Sequence, residues 1–126
     1  MSEINFKAIR LRTGTWVDCS PTIRNSEVFN HKEIGVVNSY LIYINTICQF
    51  TGACDCNGFP IYEHDLLRQY EDTGSIYEVV WNQGNTSFSL VDTEHPVLYQ
   101  NTLGSILRNS RLKVIGNKFD KKGGEK

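Results

Sequence analysis

Glu63 and Asp65 stand two residues apart in the segment Tyr62-Glu-His-Asp-Leu-Leu67, a spacing that puts both carboxylates on one side of an extended strand. Paired carboxylates can act as general acid and base, or share a divalent cation. That chemistry needs a histidine or further acids fixed nearby, and without them the pair reads as solvated, or as a turn cap. Asp65 is the better cap, accepting backbone N–H groups where a strand begins. Four cysteines, Cys19, Cys48, Cys54 and Cys56, supply a second candidate. Cys54 and Cys56 with His64 and Cys48 make a metal set on paper, but a lone Cys-x-Cys lacks the second knuckle that structural zinc sites carry. Cys48 alternates with Phe50 on an apolar face, while Cys54 and Cys56 ride a turn. The expectation is free thiols, no metal and no cofactor. Asp55-x-Asn57-Gly58 opens like a calcium loop, yet the twelfth position is Leu66 where that loop needs glutamate. His31, His64 and His95 are scattered, and no Gly-x-Ser-x-Gly elbow or phosphate-binding glycine loop is present. No catalytic residue is assigned, and the reading leans away from an enzyme.

The elements that must position these residues are strands. The 126 residues are 40% apolar and 21% charged, ordinary for one globular domain. No apolar run reaches the roughly 18 residues of a membrane span. The N-terminus lacks a basic start and apolar block, so a cytoplasmic protein is expected. Ile4, Phe6 and Ala8 alternate with polar residues, and Val36 to Phe50 is the strongest β segment. Residues 20–35 show little period and read as loop, with one short strand at Ser26–Asn30. Asn57-Gly58 is a hairpin signal, because both residues tolerate positive φ. Pro60 begins a strand running to about Tyr70. Further strands follow at Ile76–Trp81, Thr86–Val91 and Arg111–Phe119, with one helical candidate at Leu98–Arg108. The pattern predicts an all-β domain over 1–119 with one short helix: a small SH3-like, partly open barrel at about 60–119, extended by N-terminal strands. Residues 120–126 read as a disordered charged tail.

A net charge of −1 conceals an asymmetry. In residues 1–25, four bases against two acids give +2; in 26–107, ten acids against two bases give −8; in 108–126, seven bases against two acids give +5. Basic ends around an acidic middle exclude an all-round nucleic-acid coat but permit one basic face. If the first and last strands are neighbours, Lys7, Arg10, Arg12, Arg111 and Lys113 form it. The aromatics Trp16, Tyr40, Tyr62, Tyr70, Tyr77, Trp81, Phe88 and Tyr99 could stack bases or grip a peptide. Most lie in the acidic segment and read as core filling.

One stretch carries a resemblance. Gln49-Phe-Thr-Gly-Ala-Cys-Asp-Cys-Asn-Gly-Phe-Pro-Ile-Tyr-Glu-His-Asp-Leu66 resembles the signature of the YopX family of phage and prophage proteins, Q-F/Y-T-G-x-x-D-x-N-G-x-x-I-Y-E-x-D. Ile4-Asn-Phe-Lys-Ala8 is similar to the family's opening strand, Val79-Val-Trp81 with Phe88-Ser-Leu90 to its later hairpin, and Val114-Ile-Gly-Asn117 to its closing V-I-G-N. Gly52, Asp55, Asn57, Gly58, Asp65 and Gly116 are then turn and motif residues. Cys54 and Cys56 stand where polar residues are usual, and His64 where glycine is typical. The family has no established activity. The resemblance implies a phage or prophage protein in the bacterial host cytoplasm that binds another macromolecule, most plausibly a protein. The alternative is a nucleic-acid-binding module using the basic terminal strands; self-association stays open.

Overall fold

Apolar residues at every second position set the architecture. In a computed structural model of the chain, strands take up 52% of the residues against one short helix, and a sheet curls into a half-barrel. The protein is all-β. The structure describes residues 6–11, 13–19, 24–29, 32–37, 40–71, 74–96 and 98–120; Arg12, His31 and the tail residues 121–126 lie outside them. The chain divides into two compact units, Met1–Phe50 and Thr51–Lys126.

In the first unit, β1 (Phe6–Ile9) pairs antiparallel with β2 (Trp16–Cys19) and, through Phe6 and Lys7, with the first residues of β6 (Cys48–Cys54). Segment 20–35, expected as loop with one short strand, instead holds β3 (Arg24–Phe29) and the start of β4 (Lys32–Val37). They pair with each other, and β4 pairs with β5 (Tyr40–Tyr43). Nor is Val36–Phe50 one strand: a 3-10 turn at Ile44–Thr46 interrupts it. The Thr46 hydroxyl is the physical reason. It donates to the Tyr43 carbonyl at 2.6 Å and accepts the Ile9 N–H at 2.9 Å, closing the turn against β1. Ala8 and Ile42, both fully buried, form the core here with Phe6, Val17 and Ile47 around them.

In the second unit, β7 (Pro60–Tyr62) pairs with β6. A four-stranded antiparallel sheet follows in the order β10-β9-β8-β11, from β8 (Asp65–Gln69), β9 (Tyr77–Asn82), β10 (Ser87–Asp92) and β11 (Leu112–Asn117). Alternation turns Leu67, Val79, Leu90 and Leu112 to one face, where they bury with Ile61 and Leu103 as the core. Leu103 belongs to α1 (Leu103–Asn109), shorter than the expected Leu98–Arg108. The Thr102 hydroxyl caps it, accepting the Ser105 N–H at 3.2 Å. Upstream, Leu98 forms a β-bridge with Val91 and the Tyr99 N–H bonds the Leu90 carbonyl, so tertiary pairing holds those residues out of the helix. Among the described residues no helix is long and apolar enough to cross a membrane.

Candidate functional site

The hairpin signature resolves into two backbone clamps. Asp55, 6% exposed, directs one carboxylate oxygen at the N–H groups of Asn57 and Phe59, both 2.9 Å, and the other at Val114 N–H, 2.8 Å. The tip is thereby tied to β11, and the Cys56 N–H bonds the Leu112 carbonyl beside it. Gly58 has φ +87°, as Asn-Gly requires. Gly52, at φ +88°, has open space where a Cβ would stand, so its backbone angle alone favours glycine.

The second clamp corrects the reading of Pro60–Tyr70 as one strand. Glu63 and His64 form a turn between β7 and β8, so Glu63 and Asp65 are not a carboxylate pair on a strand face. Asp65, 1% exposed, accepts the Tyr62 N–H at 2.8 Å and the Asn117 side-chain amide at 2.8 Å. Asn117 in turn accepts the Phe119 N–H at 2.9 Å, and its own N–H donates to Asp120 at 2.8 Å. A Cβ at Gly116 would stand 3.2 Å from that Asp120 carboxylate. The turn is fixed from its other sides too: His64 N–H donates to the Val79 carbonyl, and Lys118 N–H to the His64 carbonyl. His64 consequently holds φ +71°, the left-handed region, which explains why glycine suits the position. Its ring bonds Glu78 at 2.8 Å, lies 3.7 Å from Glu63 and meets Phe119 edge-on. Lys118 approaches the same Glu78 oxygen at 3.8 Å. This half-exposed cluster pins the turn.

Cys48 is buried and its thiol reaches the Thr46 carbonyl at 3.3 Å; Cys54 is exposed and Cys56 half-buried. The side chain of Cys19 lies outside the described ones. Among the described residues, no group of three His, Cys, Asp or Glu side chains is placed to hold a metal ion. Lys7 lies 4.4 Å over the Trp16 ring and Arg10 bridges to Ile42 in the first unit. Arg111 and Lys113 belong to the second.

Two titrating groups are shifted beside the half-barrel. A hydrogen bond with Tyr99, then burial, raises the Tyr77 hydroxyl above its ordinary value, and the two rings meet edge-on at 5.6 Å. The backbone N–H of Glu94 holds the Asp92 carboxyl below its ordinary value.

Core filling does not account for all the aromatics. Tyr70, Trp81 and Tyr99 are exposed. Trp81 and Phe88 face each other across β9 and β10, in register, with rings at 5.1 Å and 77°. Around them opens a groove of about 350 Å³ lined also by Thr51, Gly52, Ala53, Thr86, Ser87 and the Thr102–Gly104 start of α1. No lining residue is charged. Strand alternation signals rings at 81 and 88, but which rings the core leaves uncovered depends on where α1 lands.

No curated protein matches the chain. The family model described as YopX protein matches residues 2–122, a span that contains both clamps and the groove. The chain belongs to the YopX protein family.

Proposed function

We propose that this protein is a non-enzymatic binding module that takes an uncharged, apolar segment of another protein into the Trp81–Phe88 groove. The reading places it in the cytoplasm of a bacterial host, as a phage or prophage product, with a phage or host protein as partner. The observation that carries it is the groove's composition. Two rings, one of them 43% exposed, stand beside four hydroxyl-bearing residues with no charge among them. Aromatic anchors in a desolvated pocket dominate peptide and protein recognition, and hydroxyls at the margin can bond a peptide backbone. A nucleic-acid platform sets cationic side chains beside its stacking rings to track the phosphates, and this groove has none.

The test is selection of peptides from a random library on the immobilised protein, with Trp81→Ser as counter-selection. Enriched peptides should share an aromatic or branched aliphatic anchor. They should bind the unaltered protein at least about tenfold more tightly than Trp81→Ser, the scale of a hot-spot truncation. Binding should hardly change between about 0.05 and 0.5 M salt, since no charge pair is involved. Peptides that bind Trp81→Ser equally well, or no enrichment at all, would overturn the reading.

A further inference from the structure

The sheet's outer surface carries a second, unrelated arrangement. With Leu67 and Leu112 buried on the core side of β8 and β11, alternation places Arg68 and Lys113 on the opposite side. The register sets these two cations directly across from each other. Among the described residues, the Arg68 Nε is a buried donor with no hydrogen-bond partner. A phosphate held beside both cations supplies acceptor oxygens to the Arg68 guanidinium.

At the Arg111 end of the same strands, the Arg111 guanidinium lies 4.3 Å over the Tyr70 ring. Beside this stacked pair is a cleft of about 290 Å³, lined by Gln69, Tyr70, Glu71, Asn109, Ser110 and Arg111. A flat wall of ring and guanidinium, with two amides, a hydroxyl and a carboxylate around it, matches an unpaired nucleobase: a face to stack and edges to hydrogen-bond. Glu71 repels phosphate from the cleft, so the base enters there and the backbone runs toward Arg68 and Lys113. Further along β8, Leu66 pairs with Glu78, whose charge is already met by His64 and Lys118.

We infer that this outer face of β8 and β11 is a single-stranded nucleic-acid site, one unpaired base in the Tyr70–Arg111 cleft and the neighbouring phosphates on Arg68 and Lys113. It is independent of the peptide groove and draws on one unit alone. Of the basic face expected from sequence it uses Arg111 and Lys113, and it adds Arg68, which the charge count had placed in the acidic middle.

Fluorescence anisotropy with a labelled oligo(dT) of about ten nucleotides, within the usual site size, tests it. Two phosphates neutralised on a single strand give a log–log salt slope of about −1.4. The double variant Arg68→Gln, Lys113→Gln should weaken binding at least about tenfold at low salt and flatten that slope toward zero. Tyr70→Ala should weaken binding about fivefold or more with the slope unchanged, because stacking is not ionic. Arg68→Lys should keep most of the slope, which shows that charge is being read and not folding. Lys118→Gln should bind as the unaltered protein does. Absence of binding at about 0.02 M salt, equal affinity for a duplex, or a double variant no weaker than Lys118→Gln would overturn the assignment.

Discussion

Replacing Asp55 by asparagine changes one atom and reverses the sense of one hydrogen bond. The carboxylate meets three backbone N–H groups, from Asn57, Phe59 and Val114, all within 2.9 Å. An asparagine that keeps its oxygen on Asn57 and Phe59 must aim its NH₂ at the Val114 N–H, donor against donor. The flipped amide confronts two donors and is worse. The better orientation loses one hydrogen bond to a charged acceptor, about 1.5–3 kcal/mol, and leaves a donor unsatisfied in a site only 6% exposed. A net loss of about 3 kcal/mol is expected, since the two penalties overlap. Asp55→Ala abandons all three donors and should cost more. Urea denaturation followed by tryptophan fluorescence measures this. With a slope of about 1.5 kcal/mol per molar urea, the midpoint for Asp55→Asn should fall by about 2 M. A midpoint within about 0.3 M of the unaltered protein would show that the carboxylate is not the clamp, and that the signature aspartate is there for another reason.

Other expectations follow from the same geometry. Gly58→Val should lose about 1 kcal/mol or more in the same denaturation assay, because a β-branched residue resists φ +87°; equal stability would contradict the turn. At His64, glycine relieves the left-handed backbone but forfeits the Glu78 and Phe119 contacts, so His64→Gly should lie within about 1 kcal/mol of the parent. His64→Val, which loses the contacts and keeps the strain, should fall by about 2 kcal/mol; a valine variant as stable as the parent would refute the strain. Asp92 has a folded pKa below its unfolded value, through the Glu94 N–H, so its contribution is present above the unfolded pKa and fades as pH falls through the folded one. A carboxyl ¹³C titration of Asp92 should give a midpoint below the ordinary aspartate value, and Asp92→Asn should lessen the acid sensitivity of the β10 end.

Much of the architecture was legible before any coordinates. The strand segments Ile76–Trp81, Thr86–Val91 and Arg111–Phe119 were announced, as was the Asn57-Gly58 turn, because side-chain period and φ preference act over a few residues. The break at Glu63–His64 gave no such signal. Histidine is not a turn residue by preference, and its backbone is held there by Val79 and Lys118, far away in the chain. The turn at Ile44–Thr46 was hidden likewise, its hydroxyl being engaged by Ile9, 37 positions away.

The sequence alone determined that this is a β protein, that Gly58 must turn the chain, and that its motifs are those of a YopX protein. Tertiary structure decided what the motif residues do. Asp55 earns its place through Val114, 59 positions distant, and Asp65 through Asn117, 52 positions distant. It also decided which side chains could meet a partner. Trp81 stays open because α1 and β6 border its groove without filling it. Arg68 stands beside Lys113 because antiparallel register joins segments that a linear charge count assigns to opposite signs. Local preferences reach a turn or two along the chain, whereas hydrogen-bond register and burial are set by residues that meet only once the sheet has closed.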